Sequence, residues 1–146
     1  MRLKIVFINI LMLCFTHAFA QQGLHVSPLF EGRIVPMEQM IVVKVRGKAI
    51  SKYNLNYYHS IKFKPTEEQL KTMNELAGRD EKEAVSSEHI GKKGSSTTIL
   101  SMKPAGRMNR FLCIITSGKD GEKTVTIVYM EGRVKNIKEL RKLINN

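Results

Sequence analysis

The feature that most constrains this chain is a change of hydrophobic period, from two to that of a helix, made twice between residues 40 and 144 with one return to period two between them. Residues 40–46 alternate strictly, with Ile41, Val43 and Val45 on one side and Val42, Lys44 and Arg46 on the other. That is the pattern of a half-buried strand, and Gly47 stops it. Residues 57–64 alternate again: His59, Ile61 and Phe63 point one way, and Tyr58, Ser60, Lys62 and Lys64 the other. Pro65 ends the run, and Thr66 with Gln69 forms a capping box ahead of the apolar stripe Leu70, Met73, Leu76 and Ala77. The helix is expected to pass Gly78 and reach about residue 85, because Asp80-Glu81-Lys82-Glu83-Ala84 holds good helix formers; its far half should be polar and exposed.

Three further strands are expected at residues 96–103, 110–116 and 123–130, after a loop at Gly91-Lys92-Lys93-Gly94-Ser95. Pro104-Ala105-Gly106 closes the first, and Ser117-Gly118-Lys119-Asp120-Gly121 suits a short hairpin between the other two. Asn136 and Glu139 then cap a helix carrying Ile137, Leu140, Leu143 and Ile144, and Ser27-Pro28 opens a short helical turn near the start. Strands in two groups with a helix between them indicate the α+β class: an antiparallel or mixed sheet of about five strands with two main helices packed on it. The expected core is Val43, Val45, Ile61, Leu100, Phe111, Val128, Leu140 and Leu143.

Residues 1–20 stand apart from this fold. A basic start at Arg2 and Lys4, an apolar run from Ile5 to Phe15 and small residues at Ala18 and Ala20 form a secretory signal, which predicts cleavage before Gln21 and a single domain over residues 21–146. The run is too short for a membrane anchor, and Leu13, Phe15 and His17 make a poor setting for lipidation of Cys14. Cleavage removes two bases and no acid, leaving 22 basic and 13 acidic side chains, so the positive excess belongs to the domain itself. It also leaves Cys113 alone, which excludes an intramolecular disulfide and puts the burden of stability on the core.

Several segments resemble a known kind of protein: Val26-Ser27-Pro28-Leu29-Phe30-Glu31-Gly32, Val45-Arg46-Gly47-Lys48, the Tyr-rich approach to Ser60-Ile61, and Asp120-Gly121-Glu122 followed by Ile127-Val128-Tyr129-Met130-Glu131-Gly132. With the exported N-terminus, they are similar to small secreted domain-of-unknown-function families of Bacteroidetes-type bacteria. The resemblance implies an envelope or secreted location and no assigned activity. Its motifs are turns, strands and caps, so no catalytic residue carries over.

Motifs for chemistry are sparse. His25, His59 and His89 lack zinc-ligand spacing, so neither metal nor cofactor is expected. Cys113 with a distant histidine is the minimum for a thiol-dependent hydrolase or redox enzyme, the alternative function. Its apolar neighbours Phe111, Leu112, Ile114 and Ile115 argue instead for a buried, inert thiol. Gly91-Lys92-Lys93-Gly94-Ser95-Ser96 leads into a strand, unlike a phosphate-binding loop, and reads as a basic turn. The carboxylates Glu67, Glu68, Glu75, Asp80, Glu81 and Glu83 read as one solvated helix face.

Charge is the unusual feature. Residues 39–66 hold six bases and no acid, residues 89–119 again six and none, and residues 67–88 hold seven acids and three bases. If the first two strands turn their basic sides the same way, Lys44, Arg46, Tyr58, Lys62 and Lys64 form one patch, extended by Lys103 and Arg110. Export argues against nucleic acid as the partner and for an envelope protein or an acidic envelope surface. The expected function is thus that of an exported, periplasmic or secreted, non-enzymatic binding domain with no transmembrane segment after cleavage.

Overall fold

A computed structural model describes residues 23–119 and 121–144; the expected signal segment of residues 1–20, Cys14, Gln21 and Asp120 lie outside the described residues. Six strands form an antiparallel sheet: β1 (Ile41–Arg46), β2 (Leu55–Phe63), β3 (Ser86–Lys92), β4 (Ser95–Ala105), β5 (Met108–Lys119) and β6 (Glu122–Gly132), in the order β1-β2-β6-β5-β4-β3. Helix α1 (Ser27–Phe30) precedes the sheet, α2 (Glu67–Glu83) joins β2 to β3, and α3 (Ile137–Ile144) follows β6. This is the expected α+β class with one strand more than anticipated.

The additional strand is β3, which takes in Glu88 and His89 and runs into the first part of the loop expected at Gly91-Lys92-Lys93-Gly94-Ser95. It carries one large apolar residue, Ile90, yet it pairs with β4 from Ser86↔Ser101 to Lys92↔Ser95. An outer strand needs backbone partners on one side only, so its hydrophobic pattern is weak. Strand β4 runs past Met102 to Ala105, and Pro104 is tolerated where the β4–β5 ladder shifts register.

The two faces of the sheet are covered unequally. On the first, Tyr57, Ile61 and Phe63 of β2, Val125, Ile127 and Tyr129 of β6, and Leu100, Leu112 and Ile114 pack with Leu24, Val26 and Leu29 near α1 and with Met73 of α2. The capping box of α2 forms as the sequence indicates: the Gln69 N–H donates to Thr66 Oγ1 at 3.1 Å, and the Thr66 N–H to Gln69 Oε1 at 2.9 Å. Asp80 departs from expectation. It is fully buried on α2, where its carboxylate accepts the backbone N–H groups of His25 at 2.8 Å and Val26 at 3.0 Å. These donors immediately precede α1, and the Asp80 carboxylate ties that segment to α2.

On the second face, Ile99, Phe111, Cys113, Val128 and Met130 pack against Ile137 and Leu140 of α3. At its start the Glu139 N–H donates to Asn136 Oδ1 at 2.9 Å, and Glu139 Oε2 accepts the Lys135 N–H at 2.6 Å. Ile61, Leu100, Phe111, Val128 and Leu140 are buried as expected, while Leu143 and Val45 are half-buried. Strand β1 is inverted. Val42 pairs with Ile61 and Val43 with Ser60, and directly opposed residues share a face, so Val42 joins the α2-side core while Ile41 and Val43 are 66% and 44% exposed. The apolar row of β1 lies on the α3 side but at the outer edge, and it is left in solvent.

Candidate functional site

The register decides where each basic residue goes. Lys44 lies opposite His59 and Arg46 opposite Tyr57, so both are on the α2 face; Lys62 lies opposite Ile41 and Tyr58 opposite Val45, on the α3 face. The single patch expected of β1 and β2 is therefore split across the sheet, because alternation within each strand does not fix the parity of their pairing. The Arg46 guanidinium stacks over the Tyr57 ring, 4.6 Å from its centroid. Lys64 lies beyond β2 and pairs with Glu122 at 3.2 Å. Lys103 and Arg110 line a separate cleft of about 490 Å³ with Lys82 and Glu83. Arg110 also donates to the Tyr129 hydroxyl at 2.9 Å, and that hydroxyl donates in turn to Glu131. Burial, with the Glu131 hydrogen bond, holds the Tyr129 phenol well above its ordinary pKa, so this buried chain of groups is structural.

The better-formed concavity is on the α3 face, a cleft of about 400 Å³ between the sheet and α3. Its floor is apolar: Ile99, Cys113, Ile115, Val128 and Met130, with Tyr58 and Ile90 toward either side. Ser95 and Thr97 of β4 place hydroxyls along it, Ile144 and Arg141 of α3 form one wall, and Lys92 stands at the rim. Arg141 pairs with Glu88 across the β3 side, whereas Lys92 has no ion pair among the described residues. Three strands in register build this floor, since Thr97, Ile115 and Thr126 oppose one another across β4, β5 and β6. Helix α3 is eight residues long and covers only part of the face. An apolar floor with a few hydroxyls and a cation at its mouth suits a ligand with an apolar body and an acidic end.

Of the anticipated site residues, only Tyr58 enters this cleft. No sequence motif singles out Ile115, Thr97 or Ile90, and Lys92 carries only the signature of a basic turn. The usable signal was the parity of Ser95, Thr97 and Ile99 along one strand, which places hydroxyls and apolar groups on a common face.

Cys113 borders the cleft, but burial pushes its thiol up to about 12. His59 and His89 are on the other face, opposite Lys44 and Thr98, and His25 contacts Glu83 of α2 at 2.9 Å. The sheet thus keeps the thiol apart from every described imidazole, and no cluster of three metal-ligating side chains occurs among the described residues.

His59 is nearly fully buried against Phe30, and its Nδ1 lies 3.4 Å from the Tyr57 hydroxyl. Burial first, and Lys44 second, lower its pKa to about 4. The unfolded chain therefore binds the proton more readily. The stability from the neutral ring is complete above about pH 6.5 and is lost as pH falls through about 4. Urea unfolding at about pH 7 and pH 4 should show about 3 kcal/mol of acid destabilisation that a His59→Gln variant lacks. Equal acid sensitivity of the two proteins would remove His59 as the cause.

No described helix is long and apolar enough to cross a membrane. No curated protein matches the chain. A family profile does match, over residues 13–144, and thus takes in all six strands and the α3 segment that walls the cleft. The chain belongs to that family, DUF6108, a family of unknown function.

Proposed function

We propose that this protein is an exported, non-enzymatic binding domain of the bacterial envelope, periplasmic or secreted, whose ligand is an amphipathic anion held in the cleft beneath α3. The observation that carries this reading is the cleft itself: an apolar floor of about 400 Å³ on a half-covered sheet face, with Lys92 at its mouth. An acyl chain or comparable apolar body would lie over Ile99, Ile115 and Val128, and its acidic group would meet Lys92. An acidic lipid of the envelope has this chemistry, which joins the cleft to the basic character of the domain. The signal pattern of residues 1–20 supports export, and the resemblance of the sequence motifs supports a small secreted family of Bacteroidetes-type bacteria. Mass spectrometry of the native protein should find a mature chain beginning at Gln21; an intact Met1 would overturn the localisation.

The binding test is a titration with a fatty acid carrying an environment-sensitive fluorophore. Saturable one-site binding is expected, abolished by Thr97→Trp, which fills the floor, and weakened about fivefold by Lys92→Glu, as loss of an ionic contact at a partly solvated site would give. Non-saturable binding, or binding indifferent to Thr97→Trp, would overturn the assignment of the cleft.

A further inference from the structure

The two outer strands of the sheet differ in how they meet solvent. Strand β3 bears Ser86, Ser87, Glu88, His89 and Lys92, with Glu88 paired to Arg141 and His89 to Glu81 at 2.6 Å. Such an edge is guarded by polar and charged side chains. Strand β1 pairs with β2 on one side and has no described strand on the other. Along its length Ile41 and Val43 are exposed on one face, and Lys44 and Arg46 are exposed on the other. Met37, in the turn before it, is exposed as well. Both charges on β1 itself are positive, and residues 39–66 contain no acid; the nearest in sequence is the exposed Glu38, in the turn before the strand.

We propose that β1 is a docking strand for a partner protein, onto which an extended segment alternating apolar and acidic residues adds as a further strand of the sheet. Main-chain hydrogen bonds to the free edge would supply affinity, and period-two side chains would supply specificity. The apolar residues of the incoming strand would lie beside Ile41 and Val43 on one face, and its acids beside Lys44 and Arg46 on the other. A cationic segment is rejected by the same two side chains, so the edge selects by charge as well as by pattern. The cleft reaches toward this edge at Tyr58, opposite Val45, but Thr97 and Ile115 lie on β4 and β5, away from β1, so a substitution there tests the cleft without touching the edge.

The test uses a fluorescein-labelled peptide alternating Val and Glu, titrated into the full-length protein and followed by anisotropy. Saturable binding is expected, weakened at least about tenfold by Val43→Lys and by the pair Lys44→Glu and Arg46→Glu, and unchanged by Thr97→Trp. A peptide alternating Val and Lys should not bind. N-methylation of alternate peptide residues removes main-chain donors without touching the protein, and it should abolish binding whatever the variants do to folding. Binding that survives N-methylation would reduce the effect to charge attraction and overturn the proposal. So would a dimer seen by sedimentation and broken by Val43→Lys, which would make a second copy of the chain the occupant.

Discussion

Replacing Asp80 by alanine should lower the stability of this protein by about 4 kcal/mol, among the larger effects a single substitution produces. The carboxylate is fully buried and accepts two backbone N–H groups, from His25 and Val26, immediately before α1. Burial raises its pKa, and the two hydrogen bonds offset that rise only in part. Alanine would leave both donors without their partner, and an unsatisfied buried donor costs about 1–3 kcal/mol. Asp80→Asn retains one acceptor oxygen but turns an amide N–H toward the second donor, so about half the loss is expected. Urea unfolding measures the first quantity, and amide exchange at His25 and Val26 locates it. A change within about 0.5 kcal/mol, the usual size at an exposed site, would mean that α1 is not tied to α2.

Gly132→Ala should be about as costly, for a steric reason. A Cβ at Gly132 would overlap the carbonyl oxygen of Asn54 and lie 2.8 Å from the Cα of Leu55, both backbone atoms that no rotamer change can move aside. Here β6 passes the start of β2 where the ladder shifts between Leu55 and Tyr57, and the Arg133 N–H donates to the same Asn54 carbonyl at 2.8 Å. Alanine forces the strands apart and breaks that contact. A loss of about 4 kcal/mol is expected, at the upper end for overpacked and strained sites. A small change in the urea midpoint would show that β2 and β6 are less closely apposed at this point than the structure has them.

Much of this fold is legible in the sequence, and where it is not, the reason is long-range pairing. Thr66 with Gln69, and Asn136 with Glu139, mark helix starts because capping is settled within a few residues. The burial of Ile61 on one face and of Phe111 and Val128 on the other follows from apolar strand patterns in strands that have neighbours on both sides. Strand β1 shows the boundary of that reasoning. Its period was correct, but which side faces the core depends on the pairing of Val43 with Ser60, which no local pattern contains. Strand β3 shows another: an edge strand held mainly by its backbone leaves little trace in side-chain type. The cleft was hidden for the same reason, since Thr97, Ile115 and Thr126 become neighbours only once the registers of three strands are set. Asp80 looked like one more surface acid because its partners are backbone groups more than fifty positions away.

The connectivity of the sheet also bears on the order in which the molecule assembles. Strands β3 to β6 follow one another through tight turns, so each of their pairings closes a short loop at small entropic cost. The pairing of Phe63 with Val125 instead closes a loop that contains α2 and three whole strands. Contacts this distant in sequence slow folding, and the meander is therefore the natural nucleus, with β2 and then β1 joining a sheet already formed. Mutations at the turns of the meander should chiefly change the folding rate, and mutations in β1 the unfolding rate. The cleft floor on β4, β5 and β6 belongs to the early half of that sequence and the docking edge to the late half, so the two surfaces would be lost in the opposite order as the protein unfolds.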